Sequence, residues 1–172
     1  SGASNLTIWD FKTGKEIKTI RMNDENRVEF IFSKDNKYLI CAGKSIRIFN
    51  TTDWNEVFSD YIDDSGTSAL EISPDGKHFI TGDWDGRIRI WELKTFKQIA
   101  ELNNTSLKIK ELNFSDDGKY FISVHDGGGS LKESLFLWKF KYDISKARIK
   151  EESELKGNGE EIRSILPKNS IV

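Results

Sequence analysis

Hydrophobic side chains alternate with polar ones in short runs along most of the chain. The alternation is clearest between Ser68 and Trp91, where three such runs are separated by Ser-Pro-Asp-Gly and Asp-Trp-Asp-Gly. Alternation with a period of two is typical of half-buried strands, and Asp-Gly is a strong signal for a tight hairpin. The stretch therefore predicts three consecutive antiparallel strands.

The same arrangement recurs at a regular spacing. The turn at 73–77 returns at 33–37, 40 residues earlier (73 − 33), and at 115–119, 42 residues later (115 − 73). An aromatic residue closes the third strand of each unit, at Trp9, Phe49, Trp91 and Trp138. Units of about 40 to 45 residues with four strands each are typical of propeller blades, because a single four-stranded sheet cannot bury both faces without neighbours. The repeat predicts an all-β chain of four-stranded antiparallel blades.

One repeat carries a family resemblance. The residues from Thr81 to Trp91, Thr-Gly-Asp-Trp-Asp-Gly-Arg-Ile-Arg-Ile-Trp, together with Trp9-Asp10 and Trp91-Glu92 at strand ends, resemble the WD-repeat (WD40) β-propeller family. The resemblance extends over nearly the whole chain and implies a propeller segment of about four blades. It is specific for fold and not for function, since propellers of this kind have many roles.

The strand pattern divides the chain into three complete blades between two half blades. The boundaries are 1–22 for the first half blade, 23–62, 63–104 and 105–157 for the complete blades, and 158–172 for the last half blade. Because most members of the family have more blades, the ring is expected to be incomplete. Further blades are expected from a missing part of the chain or from a second chain, and a small closed ring of four blades is the alternative. An open arc exposes an apolar face at each end, so the chain made alone is expected to associate.

The resemblance also implies structural roles for individual residues. Family members hold a buried network of a Trp, a Ser or Thr, a turn Asp and a His. Asp85 matches the turn Asp and Thr81 the hydroxyl partner of Trp91, but the Gly-His of the family is missing. At the position of Asp85 the other units carry Ala3, Gly43 and Lys132. The blades are therefore expected to be held mainly by packing, because partly satisfied buried polar networks are costly.

Composition and charge exclude several classes of function. No apolar run approaches the about 18 residues of a membrane helix, and the net charge of −2 argues against a general nucleic-acid binder. The single cysteine, Cys41, lies in an apolar run and is predicted to be buried. A chain with one cysteine forms no internal disulfide, which suits a reducing compartment, so a cytoplasmic or nuclear location is expected.

Nothing in the sequence predicts an enzyme, a metal site or a cofactor. His78 and His125 have no metal-ligand spacing to another His or Cys, and both are predicted to be solvated turn residues. The run Gly127-Gly128-Gly129 lacks the Lys-Ser/Thr of a phosphate-binding loop and lies between strands, so it predicts a long hairpin.

Binding is the remaining function, and the turns at the two ends of the blades are the candidate surfaces. Trp84 lies in a tight hairpin, where its ring either contacts a partner or folds over an adjacent blade. Lys108 and Arg27, near the starts of first strands, are predicted to flank the same end. At the opposite end Trp54 and Phe96 occupy matching turn positions, and they form either a second aromatic patch or packing within the turn.

Two classes of function stay open. The favoured class is a non-catalytic protein–protein interaction scaffold that holds a protein or peptide partner. The alternative is a propeller platform of an RNA- or ribosome-associated factor, or a sensor domain that regulates an attached enzyme. A clustered Lys/Arg surface would favour nucleic acid, whereas an exposed aromatic residue with a polar rim would favour a protein partner.

Overall fold

A computed structural model describes residues 5–22, 28–103, 106–127, 134–140, 155–157 and 160–164, and every regular element in these ranges is a strand. The strands are β1 (Asn5–Trp9), β2 (Glu16–Arg21), β3 (Glu29–Phe32), β4 (Tyr38–Ala42), β5 (Ser45–Asn50), β6 (Glu56–Tyr61), β7 (Thr67–Ile72), β8 (His78–Asp83), β9 (Arg87–Glu92), β10 (Lys97–Asn103), β11 (Ile109–Phe114), β12 (Tyr120–His125), β13 (Ser134–Lys139), β14 (Leu155–Gly157) and β15 (Glu160–Ser164).

Two sheets have the four-stranded antiparallel order of a complete blade. Strands β3 to β6 form one sheet and β7 to β10 form the next, with each strand hydrogen-bonded to the one that follows it. The prediction of an all-β chain built from four-stranded blades is confirmed. In the described part of the chain the sheets form an arc that does not close into a ring.

The first and last sheets depart from this order. Strands β1 and β2 form a two-stranded sheet, and the last sheet has the order β11-β12-β13-β15-β14. The strand pattern predicts a separate half blade over 158–172, but β15 joins the same sheet as β13, which it pairs in parallel. This pairing supplies ladder hydrogen bonds to the edge of β13 that β12 leaves open. The sequence also predicts a fourth strand for this blade within 147–155, which falls largely outside the described residues.

The repeated turns between first and second strands are built from side-chain hydrogen bonds. In the turns at 33–37, 73–77 and 115–119 the serine hydroxyl donates to the aspartate two residues later, at 2.7, 2.6 and 2.8 Å. The next residue has a positive φ, which Asn36 and Gly76 tolerate better than other residue types. The Ser-x-Asp-Gly/Asn pattern therefore marks these hairpins for a physical reason.

The core lies between neighbouring sheets. Alternate residues of one strand face opposite neighbours: on β8, Phe79 packs in the cluster towards the preceding blade, and Ile80 in the cluster towards the following one. A third cluster, which includes Ile20 and Leu39, joins the β1–β2 sheet to the blade after it. Each blade thus needs a neighbour on each side to bury both faces, as the repeat analysis requires.

The aromatic residues that close the third strands have different environments. Phe49, Trp91 and Trp138 are buried, and the two tryptophans stack on phenylalanines of the adjacent strands, with ring centroids 5.7 and 5.8 Å apart. Trp9 belongs to the two-stranded sheet and is 59% exposed. The three buried rings anchor their blades, and the ring of Trp9 lies largely in solvent.

The prediction that both histidines are solvated is wrong, because each points into the interior. His78 lies against the ring of Phe140, and His125 lies against the ring of Phe136 at 4.8 Å between centroids. Both side chains begin at strand ends, where the sequence pattern alone does not distinguish a turn position from an inward-facing one.

The blade around His125 also contains a row of hydrogen-bonded polar side chains, whereas the sequence predicts that the blades are held mainly by packing. The indole N–H of Trp138 donates to the hydroxyl of Ser123 at 2.8 Å. The same hydroxyl lies 2.9 Å from Nε2 of His125, within hydrogen-bond distance. This row keeps all three buried polar groups satisfied, which offsets the cost of their burial.

Unfolding is expected to become easier as the pH falls from about 7.5 to about 5.5. Burial lowers the pKa of His78 and of His125 below the ordinary value of 6.5. Below the ordinary value the unfolded chain therefore binds more protons than the folded chain, and the free energy of unfolding decreases. The measurement is the urea midpoint at the two pH values, for the natural chain and for the double variant His78→Gln/His125→Gln. An equal pH dependence of the two proteins would contradict the assignment.

Candidate protein interface

The hairpin between β8 and β9 presents Trp84 at one end of its blade, with 45% of the residue exposed. Asp83 closes the turn, because its Oδ1 accepts the backbone N–H of Asp85 at 2.9 Å and that of Arg87 at 2.8 Å. The N–H of Trp84 donates to the carbonyl of Gly66 in the preceding link, at 3.4 Å. The backbone of Trp84 is therefore fixed from two sides while part of its ring remains in solvent.

Lys108 lies directly over this ring. Its Nζ is 3.5 Å from the centroid of the Trp84 ring, within the range of a cation–π interaction. The backbone of Lys108 is held in turn, since its carbonyl accepts the N–H of Asp126 at 2.8 Å. The structure thus brings together two of the residues that the sequence placed at one end, whereas Arg27 lies outside the described residues.

A buried network of charges supports the hairpin from below. Arg89 Nη1 and Arg87 Nε contact the same oxygen of Asp83, at 3.0 and 3.1 Å. Asp63, in the link from the preceding blade, pairs with Arg89 through Oδ2 and lies 3.4 Å from Arg87. Arg89 also contacts Glu101 on the neighbouring strand, at 3.2 Å. Since Asp83 is only 2% exposed, these partners hold its carboxylate in the one position that closes the turn.

The network keeps the carboxylate of Asp63 ionised. Burial would raise the pKa of Asp63, but the Ser65 hydroxyl and the guanidinium groups of Arg89 and Arg87 together lower it below its ordinary value. The pKa of Arg87 is raised, because Asp83 and Asp63 outweigh the effect of its burial. Asp63 and Arg87 therefore both stay charged throughout the neutral pH range.

Sequence reasoning missed this network. It assigned the structural carboxylate to Asp85, which is mostly exposed and pairs with Arg87 at 3.0 Å, whereas the buried carboxylate is Asp83. Thr81 accepts the indole N–H of Trp91 at 3.1 Å, in the geometry of a hydroxyl partner. The signal was available: in the alternation of β9, Arg89 shares a face with Trp91, and a charged residue on a buried face requires a buried partner.

At the opposite end, Trp54 and Phe96 are turned inwards. Both have a positive φ, 57° and 58°, at the turn position that Gly14 occupies in the first hairpin. The ring of Phe96 packs on Tyr38 and Phe58 of the preceding blade, at 5.3 and 5.6 Å between centroids. Trp54 packs against the cluster shared with the β1–β2 sheet. These contacts offset the about 1 to 3 kcal/mol of backbone strain and leave little of either ring for a partner.

A groove of about 520 Å³ also lies at this opposite end, between the second and third sheets. Tyr38 and Leu93 contribute to its lining, together with lysine and acidic side chains. Lys37 pairs with Asp35 at 3.2 Å, so the nearest charges of this rim are neutralised within the chain. The groove is a weaker candidate for a partner-binding surface than the Trp84 hairpin, where an aromatic ring is exposed and the ammonium of Lys108 lies over it.

Other classes of site lack support in the described ranges. No group of three or more His, Cys, Asp or Glu side chains there could hold a metal ion. No helix in those ranges is both long and apolar enough to cross a membrane. Burial raises the pKa of the Cys41 thiol to about 12, so this cysteine is not a reactive thiolate at neutral pH.

Comparison with protein families gives a match over the repeat that carries the hairpin. Residues 58–92 match the family described as "WD domain, G-beta repeat". These residues begin in β6 and end with β9, so they include Trp84, Asp83 and Arg89. The match covers one repeat unit of the chain.

Relatives among characterised proteins align with more of the chain. Serine-threonine kinase receptor-associated protein of Dictyostelium discoideum is 26% identical over 137 residues, 78% of this chain and 43% of that protein. Guanine nucleotide-binding protein subunit beta-like protein 1 of Mus musculus is 24% identical over 139 residues, 78% of this chain and 41% of that protein. The chain spans less than half the length of these relatives.

A solved structure has the same fold. A chain of hydrazine synthase from Kuenenia stuttgartiensis superposes with a TM-score of 0.68 at 19% identity, over 78% of this chain and 40% of that chain. At this level of identity the likeness concerns the arrangement of the sheets and not the activity.

Proposed function

Since this chain carries WD40 repeats arranged as part of a β-propeller, we propose that it is a non-catalytic scaffold that binds a protein or peptide partner at the Trp84 hairpin. The observation that carries the proposal is the exposed ring of Trp84 on a backbone fixed by Asp83 and Gly66. A rigid aromatic anchor loses little conformational entropy on binding, which is why tryptophan is enriched among hot spots.

The relatives support this class of function. The Dictyostelium relative is named for its association with a serine-threonine kinase receptor, and the mouse relative is named for its likeness to a G-protein β subunit. Because the chain spans less than half of each, the partner and the complete assembly belong to the proposal. The further blades expected from the sequence, from the same chain or a second one, would complete the same scaffold.

Charge supports a protein partner over nucleic acid. The arginines below the Trp84 hairpin, Arg87 and Arg89, are both paired with carboxylates, so they form no basic surface for phosphates. A platform for RNA is the alternative outcome of the same experiments. Tight binding of a generic RNA that falls steeply with salt would favour it over a protein partner.

The substitution Trp84→Ala is expected to weaken partner binding by about 2 kcal/mol, roughly 30-fold, while the stability of the fold changes little. The reason is that the ring is half in solvent and contributes less to the core than to a contact surface. Binding is measured by titration calorimetry with a peptide selected by display on the natural chain, and stability by urea unfolding.

Trp9 supplies the matched control for this experiment. It is another exposed tryptophan, at 59%, but it lies in the β1–β2 sheet and away from the hairpin. Trp9→Ala should leave binding unchanged. If Trp84→Ala left binding intact and instead lowered the urea midpoint strongly, the ring would be a packing residue and the proposed interface would be wrong.

A further inference from the structure

We infer that the partner engages the Trp84 hairpin with a carboxylate next to an apolar side chain, the carboxylate binding Lys108 and the apolar group the Trp84 ring. This inference rests on the proposed function and adds the chemistry of the partner to it. It is carried by the charges around the hairpin, where Asp63, Asp83 and Asp85 are paired with arginines of the chain and the ammonium of Lys108 lies on the Trp84 ring.

The charged groups near Trp84 are paired within the chain. Arg87 and Arg89 contact Asp63 and Asp83, and the exposed Asp85 contacts Arg87 at 3.0 Å. In the link that carries Asp63, the next carboxylate, Asp64, lies 3.6 Å from the ammonium of Lys44. Both the buried Asp83 and the exposed Asp85 therefore have a positively charged partner within the chain.

Lys108 is the exception among the described residues. Its ammonium lies over the Trp84 ring, and none of the carboxylates in those residues comes within 4.0 Å of it. The ammonium of a lysine has three N–H donors. The face of the ring below it attracts its positive charge, but it does not accept hydrogen bonds from all three donors. The donors that point away from the ring are therefore available to a carboxylate from outside the chain, in a charge-assisted hydrogen bond.

The same position disfavours a cationic partner. A lysine or arginine of a partner that approached this face of the Trp84 ring would come close to the ammonium of Lys108. The two positive charges would repel each other. An apolar side chain is compatible with the ring, since the part that Lys108 leaves uncovered is the exposed apolar surface of the hairpin. An acidic residue adjacent to an apolar one fits both groups together.

The test begins with a displayed library of random peptides. Peptides are selected for binding to each of three proteins: the natural chain, Lys108→Arg and Lys108→Glu. The natural chain is expected to enrich Asp or Glu adjacent to an apolar residue. Lys108→Arg keeps both the charge and the cation–π contact, so it should select the same class. Lys108→Glu removes the cation from the ring face and puts a carboxylate beside the hairpin, so it should select lysine or arginine instead.

Affinities of synthetic peptides make the result quantitative. The most enriched peptide and its counterpart with Asn or Gln in place of the acidic residue are titrated by fluorescence anisotropy at about 0.15 M salt. The counterpart is expected to bind the natural chain about tenfold more weakly and to bind Lys108→Gln about as well as the acidic peptide does.

The outcomes separate this inference from the proposed function. Peptides that bind in a Trp84-dependent way but show no acidic preference would overturn the inference and leave the scaffold function standing. Selection of basic peptides by the natural chain would overturn it as well. If no peptide bound in a way that depends on Trp84, both the inference and the proposed interface would be wrong.

Discussion

Replacing Arg89 by methionine is expected to lower the free energy of unfolding by about 3 to 5 kcal/mol. The side chain of Arg89 is only 5% exposed, and it contacts the buried Asp83, the partly buried Asp63 and Glu101. Methionine fills much of the same volume, so the loss comes mainly from buried carboxylates that lose one of their two positive partners. Arg87 reaches Asp83 and Asp63 as well, at 3.1 and 3.4 Å, and it limits the loss without removing it.

Arg47 is the matched control for this variant. It stands two residues before Phe49, as Arg89 stands two residues before Trp91, and it pairs with Glu56. Arg47→Met breaks this pair, which water screens because the two side chains are 20% and 35% exposed, and a hydrogen bond to the carbonyl of Arg21, so a cost of about 1 to 2 kcal/mol is expected. Urea unfolding of the two variants measures the difference. Equal costs would mean that the network below Trp84 contributes no more than a surface ion pair.

The Arg89 variant also connects stability to binding. Asp83 closes the hairpin through two backbone N–H groups, and Arg89 helps to fix Asp83. Loss of Arg89 should therefore loosen the turn that carries Trp84 and weaken partner binding, although Arg89 itself is buried. Binding by Arg89→Met that matched the natural chain would show that the turn keeps its shape without this support.

The arrangement of the blades could be predicted from the sequence because it depends on local signals. The Ser-x-Asp-Gly/Asn turns are closed by a hydrogen bond between residues two positions apart, as in Ser73 and Asp75. Alternation within each strand then determines which residues are buried. The placement of β15 beside β13 had no such signal, because parallel pairing depends on an open strand edge and not on a turn.

The candidate site was predicted only in part, for a related reason. The sequence predicts Trp84 as a contact residue from its place in a tight hairpin and Lys108 from its place near the start of a first strand, and the structure brings them to 3.5 Å. The network of Asp63, Asp83 and Arg89 joins three separate strands and links, and its members are charged residues that a simple pattern assigns to the surface. The alternation of β9 indicates that Arg89 faces the interior, but it does not say which carboxylates pair with it, because Asp83 lies on another strand and Asp63 is 26 residues away.

Replacing Gly82 by alanine is expected to cost about 2 to 3 kcal/mol through the contact between two blades. A Cβ at this position would lie 2.6 Å from Cγ2 and 2.8 Å from Cβ of Ile109, which is fully buried on β11. The φ of Gly82 lies outside the positive range, so alanine meets no backbone strain here and the cost is steric. The two strands can separate only by opening the core between the third and fourth sheets.

Two comparisons isolate this contact by urea unfolding. Gly14→Ala adds a Cβ that meets nothing within 4 Å, but its φ of 65° strains alanine, so its cost of about 1 kcal/mol measures backbone strain without overlap. In the background Ile109→Ala, which removes Cγ2 and Cδ1 but keeps Cβ, Gly82→Ala should cost less than in the natural chain, because only the 2.8 Å approach to Cβ remains. The effects of the two substitutions should therefore not add, because the space that a Cβ needs at Gly82 is occupied by the side chain of Ile109. Equal costs in the two backgrounds would mean that Gly82 is needed for a reason within its own strand and not for the contact between blades.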